Sequence, residues 1–464
     1  MFLAVTPAQV VGLSREAQDI FQRLQNVYNT HAAKNAEKDK FYEGKVALSD
    51  VNLGIALPEN LRGFEIGCSW GAKTVDVLAA RSMFDGFVGE SGENSQQLAQ
   101  IASDNRLIAE YIKACRDELK YGCTFATLSK DPAIGCKIRF HSPATAAALW
   151  SGEKGRIYAG FAVVDAAPDN EQPELMTPSV INLYTETDVW VMRRTGGMWS
   201  ATQFPQKMGR PLMEAMIWNA TSNKPFGRSR IKEPIRMMIK SYVRTVANAT
   251  IGLEFSTAPQ KYLLGVTDEQ YDAVVNQKFK QYIGNILAST TNPETGEKPT
   301  FGQLPQGTIA PHVEMIRVLA TQFSAATGLS VTDTGVVNDA NPTSSDAILA
   351  QTQTLVALAE ELNTGNGDTL KTIALMALAI ANNVTVEQLS DEQRDVVAHF
   401  KNPAMPSVAA TADAAIKIAS AREGFSSTDT FLEMIGFDQA DIRRIKAQEA
   451  RVRGLSVLDE LEGA

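Results

Sequence analysis

The chain has 464 residues, 44% of them hydrophobic and 21% charged, with a formal net charge of -9. That length predicts roughly three structural units at about 150 residues each, and the balance is that of a globular chain able to bury a sizeable core. An acidic total argues against a surface that grips nucleic acid by counterion release, which needs clustered Lys and Arg; it does not exclude a protein that lets DNA pass ungripped.

Taken in order, an amphipathic helix is predicted from about Thr6 to Asn35, with Val11, Ala17, Ile20, Leu24 and Val27 toward one side. The aromatic pair Phe41-Tyr42 follows, and Leu57-Pro58-Glu59-Asn60-Leu61 marks a turn into a helix that runs to about Arg81. Met83-Phe84-Asp85-Gly86-Phe87 is a strand-like close. From Ser95 to Thr124 the chain continues as helix, on Leu98, Ile101, Leu107, Ile108, Tyr111 and Ile112.

Near Cys136 the period changes. Ile138-Arg139-Phe140, Thr145 to Trp150, Arg156 to Val164, Val180 to Thr187 and Val189 to Met192 are short β-prone runs between turn formers. Gly196-Gly197 is a hairpin signal, and an antiparallel meander of about five strands is the economical reading. After a transition over Pro205 to Gly227, a helix is predicted from about Arg230 to Ile251 on Ile231, Ile235, Ile239, Tyr242 and Val246. Its cations Arg228, Lys232, Arg236, Lys240 and Arg244 recur every fourth residue. Like charges at that spacing repel by a few tenths of a kcal/mol each, so the series needs open water or a negative neighbour.

Phe255 to Pro311 reads as a small inserted α+β module, with a strand at Tyr262-Leu263-Leu264-Gly265, a helix over Asp268 to Leu287 and an extended return over Phe301 to Ile309. A helix over His312 to Thr327 ends at Gly328, where a left-handed cap favours glycine. The polar loop Thr332-Asp333-Thr334-Gly335-Val336-Val337-Asn338-Asp339-Ala340-Asn341-Pro342 leads to caps at Thr343 and Ser344 and a long helix. Gly365-Asn366-Gly367 is expected to break or kink that helix. Val396 to Ser407 returns extended, and alanine-rich helices capped by Thr411, Ser427 and Asp438 lead to the acidic end Asp459-Glu460-Leu461-Glu462.

Chemistry is sparse. Gly67-Cys68-Ser69-Trp70-Gly71-Ala72-Lys73-Thr74 has the outline of a phosphate-cradling loop in which Lys73 and Thr74 would serve phosphate and magnesium. Ala72 replaces the glycine before the lysine and no strong strand precedes it; the plainer reading is the turn and first coil of a surface helix. The histidines His31, His141, His312 and His399 share no metal-ligand spacing. Glu360-Glu361 and Asp391-Glu392 are adjacent and read as solvated helix faces. Cys68, Cys115, Cys123 and Cys136 form no CxxC pair and are expected as reduced, buried thiols. The start, Met1 to Val5, lacks a basic n-region, so no secretory signal is expected. The longest apolar run, Ile373 to Ala381, is far short of the roughly 20 residues that span a bilayer. No enzyme, cofactor, metal or membrane partner is expected.

Several blocks, in order, resemble the portal protein family of tailed bacteriophages, of the type in long-tailed phages of Gram-positive hosts. They are Phe41-Tyr42-Glu43-Gly44, Leu57 to Arg62, Trp70 to Phe87, Gly227-Arg228-Ser229-Arg230-Ile231, Thr257 to Gly265, Pro311 to Leu329 and Asn341 to Ile348. Gly67-Cys68-Ser69 and Gly71-Ala72 depart from the family, which often carries a more polar or proline-bearing turn there.

The resemblance implies a mainly α, α+β portal-type fold with a helical stem, an α+β wing and clip, and a helical C-terminal crown. Residues 1–229 would be the wing, 230–251 a stem helix, 252–310 the clip and 311–329 the second stem helix. Residues 330–343 would be the channel loop, 344–410 the long kinked helix and wing return, and 411–464 the crown. It implies a homo-oligomeric ring, commonly of twelve copies, at one capsid vertex. Double-stranded DNA would pass non-specifically through it in packaging and ejection, and the terminase, the major capsid protein and head-tail adaptor proteins would dock on it. The chain would be made in the host cytoplasm and reside at the portal vertex of the virion.

Twelve copies at -9 each give about -108, which suits a channel that must not hold phosphates tightly. Thr332, Asp333, Thr334, Gly335, Asn338, Asp339 and Asn341 are the expected lumen-facing loop residues, with Gly335 allowing several conformations. The basic stripe Arg228, Lys232, Arg236, Lys240 and Arg244 is expected to face acids on the adjacent subunit, with DNA phosphates as the other candidate. Rival readings are another virion ring or connector protein, which the long insert between the stem-like helices disfavours, and a nucleotide-dependent enzyme using Lys73 and Thr74.

Overall fold

The computed structural model describes residues 10–46, 66–89, 96–168, 176–257, 261–264, 296, 300–303, 308–336, 345–404, 408–422, 424–437, 441–442 and 444–452. A two-residue strand, β1 (Val10–Val11), pairs in parallel with Trp199 and Ser200. Ser14 then starts helix α1 (Arg15–Tyr42), its Oγ accepting from the Ala17 amide at 3.2 Å. The predicted helix thus starts later and runs further, because Val10 and Val11 are taken by the sheet and Ser14 supplies the cap. Ala17, Phe21, Leu24 and Tyr28 form its buried stripe.

Helix α2 (Trp70–Ala79) leads into β2 (Phe84–Val88). The single helix expected from Ser95 to Thr124 is two, α3 (Gln96–Asp104) and α4 (Leu107–Tyr121). Buried Asn105 causes the break. Its Nδ2 donates to the Ile101 and Cys136 carbonyls and its Oδ1 accepts from the Ile138 amide, while Arg106 turns left-handed at φ 50°.

The strands sort into two main sheets. β5 (Ala146–Ser151), β6 (Arg156–Pro168), β7 (Met176–Thr185), β8 (Asp188–Thr195) and β9 (Met198–Pro205) form the five-stranded antiparallel meander, with β1 added beyond β9. Gly196 and Gly197, at φ 58° and 85°, supply the two-residue hairpin between β8 and β9. β3 (Cys123–Asp131), β4 (Gly135–His141) and β10 (Met213–Ile217) make a separate sheet in the order β10-β3-β4. The Ile138 run therefore belongs outside the meander. The first six residues of β3 are all buried, so it shows no alternation that sequence could reveal.

Helix α5 (Glu233–Thr257) packs against α6 (Ala310–Thr327), and Ile235, Ile239 and Val243 of the first and Leu319, Ala320 and Phe323 of the second lie in the main core. Between them, β11 (Lys261–Leu264) pairs antiparallel with β12 (Thr300–Gln303); the helix expected over Asp268 to Leu287 lies outside the described residues. Helix α7 (Ser345–Asn382) is continuous through Gly365, Asn366 and Gly367, so the expected break is absent. Asn366 is fully buried and hydrogen-bonded to α4, and the tertiary packing overrides the glycines' local cost. From Leu370 onward α7 is apolar nearly all round and runs through the core against β3, β4 and β10. β13 (Val397–Phe400) then pairs antiparallel with β2, giving the expected extended return.

Helices α8 (Val408–Ala421) and α9 (Asp429–Ile435) follow. Thr411 sits inside α8 and the α9 cap is Thr428, one residue after the expected Ser427, because Thr428 Oγ1 is the atom that reaches the Phe431 amide. Asp438 lies outside the described residues. All four cysteines are free and buried. Burial pushes the Cys68 thiol up to about 11 and those of Cys123 and Cys136 to about 12, so they stay protonated at neutral pH. Among the described residues no helix is long and apolar enough to cross a membrane.

Candidate functional site

The loop after α6 begins as a built structure. Gly328, at φ 74°, caps α6 with its amide on the Ser324 carbonyl, as expected, and Leu329 is driven into the core. Ser330 and Asp333 then cap each other: Ser330 Oγ accepts from the Asp333 amide at 3.2 Å, and Asp333 Oδ2 accepts from the Ser330 amide at 3.1 Å. This reciprocal pair closes the turn that leads into the short 3-10 helix Thr332–Thr334.

The loop residues named from sequence are therefore not equivalent. Asp333 directs its carboxylate back at Ser330, Thr332 and Gly335 are exposed, and Thr334 turns its hydroxyl to the Val331 carbonyl at 2.5 Å. Gly335 takes φ 81° to end the turn, with its amide on the Thr332 carbonyl. Its glycine is needed for one left-handed conformation here. Asn338, Asp339 and Asn341 lie outside the described residues.

Two side chains that sequence reading passed over hold this foot in place. Trp70, on α2, is 3% exposed and stacks on Phe323 with ring centroids 4.7 Å apart, while its Nε1 donates to the Thr334 carbonyl at 3.2 Å. Arg230 is buried, its Nε donating to the Thr74 carbonyl and its Nη2 to the Thr327 carbonyl, each at 2.7 Å. Burial lowers its pKa to about 10, so it remains a cation at neutral pH, placed at the C-terminal, electronegative end of α6. In the sequence Arg230 stood as the predicted start of a helix and within the Gly227-Arg228-Ser229-Arg230-Ile231 block, with nothing to mark it as buried.

That stripe is not one helix face. Arg228 and Lys232 precede α5, whose start is set by Pro234 in its first turn and by backbone bonds that hold residues 228 and 230 to Trp218 and Leu119. Arg236 is paired within the chain to Glu233 and to Glu37, the latter at 3.7 Å. The Lys240 ammonium stands 5.7 Å from the Phe41 ring centroid. Arg244 is exposed on α5, and Arg228 and Lys232 are exposed before it.

The phosphate-loop outline dissolves in the same region. Thr74 is buried and spends its hydroxyl on the Trp70 carbonyl at 2.8 Å, while Lys73 points to solvent. A Cβ on Gly71 would stand 1.9 Å from the Phe41 carbonyl oxygen, so this glycine serves a close approach of α2 to α1. The histidines are not brought together, and among the described residues no group of His, Cys, Asp or Glu could hold a metal ion. Buried His141 bonds Thr127 at 2.9 Å, and burial lowers its pKa to about 4. Glu360, Glu361, Asp391 and Glu392 are exposed, as read.

One further polar cluster lies where α7 crosses α4. Glu118 is fully buried, and its Oε2 accepts from Asn366 Nδ2 at 2.8 Å; the same amide nitrogen reaches Tyr111 Oη at 3.1 Å, and Tyr111 meets Ser82 at 2.6 Å. Desolvation pushes the Glu118 carboxyl up to about 8, opposed by the Asn366 hydrogen bond, so it is held neutral at pH 7.

The family model described as phage portal protein, SPP1 Gp6-like, matches residues 22–454. The chain belongs to this family of phage portal proteins. It is 24% identical over 428 residues to the portal protein of Mycobacterium phage D29, covering 89% of this chain and 85% of that one. The portal protein of Mycobacterium phage L5 matches to the same extent. Among solved structures, the neck of a native gene transfer agent particle computed with C12 symmetry is similar with a TM-score of 0.45 at 12% identity, covering 79% of this chain and 89% of that one. An HK97 family phage portal protein from Corynebacterium diphtheriae gives a TM-score of 0.36 at 12% identity, covering 72% and 92%. The matched stretch of this portal protein takes in α2, α5, α6, the loop foot and α7.

Proposed function

We propose that the chain closes with further copies of itself into a ring, twelve being the number expected, at one vertex of a phage capsid. Double-stranded DNA passes through the centre during packaging and ejection. The terminase, the major capsid protein and head-tail adaptor proteins are its docking partners. The observation that carries this reading is the family match over residues 22–454, which leaves no major element of the described chain outside it. In this reading α5 and α6 are the stem, β11 and β12 belong to the clip, and residues 330–343 are the channel loop, with the meander and α1 to α4 in the wing and α8 and α9 in the crown. The exposed cations Arg228, Lys232 and Arg244 face acids of the adjacent copy.

Mass photometry and negative-stain imaging of the purified chain test the assembly: a monodisperse ring with a central hole is expected, and a closed particle without a hole overturns it. Deleting residues 332–341 tests the loop. Rings should persist while DNA passage or retention falls; loss of rings would make the loop an assembly element instead.

A further inference from the structure

Trp70 does more than fill the core. The indole is pressed between Phe323 of α6 and Tyr242 of α5, each ring centroid 4.7 Å away, and a bicyclic ring of the same shape without the N–H would serve that packing as well. What tryptophan adds is one donor, and a buried indole N–H needs an acceptor. The acceptor is the carbonyl of Thr334, the last residue of the 3-10 turn in the loop foot, 264 positions away in sequence.

One turn along α2, the Thr74 carbonyl receives Arg230, whose other nitrogen holds the Thr327 carbonyl at the end of α6. Positions 70 and 74 share a helix face. Helix α2 therefore meets both the end of the stem helix, through Arg230, and the point where the loop leaves it, through Trp70. Helix α2 is itself seated on α1 through the close approach at Gly71.

We propose that Trp70 is a positioning residue for the channel loop, its indole N–H tying the loop foot, residues 330–336, to helix α2. This rests on the reading of residues 330–343 as the channel loop. The turn it holds carries its own reporters, the amides of Asp333, Thr334 and Gly335, which donate to the Ser330, Val331 and Thr332 carbonyls.

The test is hydrogen exchange on the assembled full-length chain, wild type against Trp70→Phe, together with DNA retention in filled particles. A single neutral hydrogen bond lost should speed exchange at the three reporter amides roughly fivefold. Amides in the middle of α5 and α6 should keep their wild-type rates. Unchanged exchange at the reporters overturns the proposal. Equal acceleration across α2, α5 and α6 also overturns it, by showing a packing role alone. If Trp70→Phe yields no folded chain, β-(3-benzothienyl)alanine at position 70 keeps the bicyclic shape without the N–H, and the same outcomes apply. Faster reporter exchange with undiminished DNA retention supports the positioning role and instead removes the loop's proposed part in holding DNA.

Discussion

Glu118 gives a prediction whose size follows from its surroundings. The carboxyl is fully buried where α4 meets α7, and desolvation moves it from 4.5 to about 8. Because the folded value lies above the unfolded one, its proton-linked contribution is fully present below about 4.5 and is lost as pH rises toward about 8. Between those limits the unfolded chain is ionised while the folded chain must keep a proton. At 1.36 kcal/mol per unit, that costs the fold about 3 kcal/mol at pH 7. Glu118→Gln removes the titration and leaves an amide able to accept from Asn366. Discounting one imperfectly satisfied amide hydrogen at about 1 kcal/mol, the variant should be more stable by about 2 kcal/mol at pH 7. The difference should shrink toward zero near pH 5. Denaturant unfolding of both chains at pH 5, 7 and 8.5 reads this directly. Parallel pH profiles would refute the reasoning, since they would mean that Glu118 ionises in the fold as it does in water.

Replacing the Arg230 guanidinium by Arg230→Met leaves the Thr74 and Thr327 carbonyls without this donor and should destabilise by about 3 kcal/mol. Arg230→Lys should recover less than half of that, because an ammonium lacks the fork that reaches two acceptors; unfolding midpoints distinguish the pair. Gly71→Ala places a methyl 1.9 Å from the Phe41 carbonyl oxygen and should abolish folded yield, measured by size exclusion, or force α2 away from α1. Ala72→Gly restores the glycine before Lys73, yet a fluorescent ATP analogue should still show no binding, because Thr74 is occupied at the Trp70 carbonyl. Arg244→Glu, on an exposed position of α5, should lower ring yield; normal rings with impaired DNA passage would assign that cation to phosphates.

Periodicity reached the fold where one face is buried and the other wet. Helix α6 with its Gly328 cap was visible this way, while the meander was read from β-prone runs between turn formers and the return at β13 from an extended stretch. It failed where burial is complete or where a side chain replaces backbone pairing. β3 begins with six buried residues in a row and carries no alternation, and Asn105 ends a helix by bonding to a strand more than thirty positions on. The continuity of α7 through Gly365 to Gly367 is the converse case. Local cost argued for a break of about 1 kcal/mol per glycine, and the partner that outweighs it, Glu118, is 248 positions away.

The region from Gly67 to Thr74 shows why site chemistry is harder to read than fold. Glycine, threonine and lysine at these spacings signal a phosphate cradle only if the glycines open backbone toward a ligand and the hydroxyl is free. Here Gly71 admits the Phe41 carbonyl and Thr74 turns its hydroxyl to Trp70, so the same residue types serve close packing. Both uses demand a missing Cβ and a short hydroxyl, and no local pattern separates them. What separates them is the neighbour, and for this segment the neighbours are α1, the end of α6 and the foot of the loop. In the proposed reading, Trp70 and Thr74 of this segment meet the foot of the channel loop and the donor that holds the end of α6. If that reading holds, substitutions at Trp70 and Arg230 should change how the loop foot is held, because these side chains supply its bonds to α2 and to the end of α6.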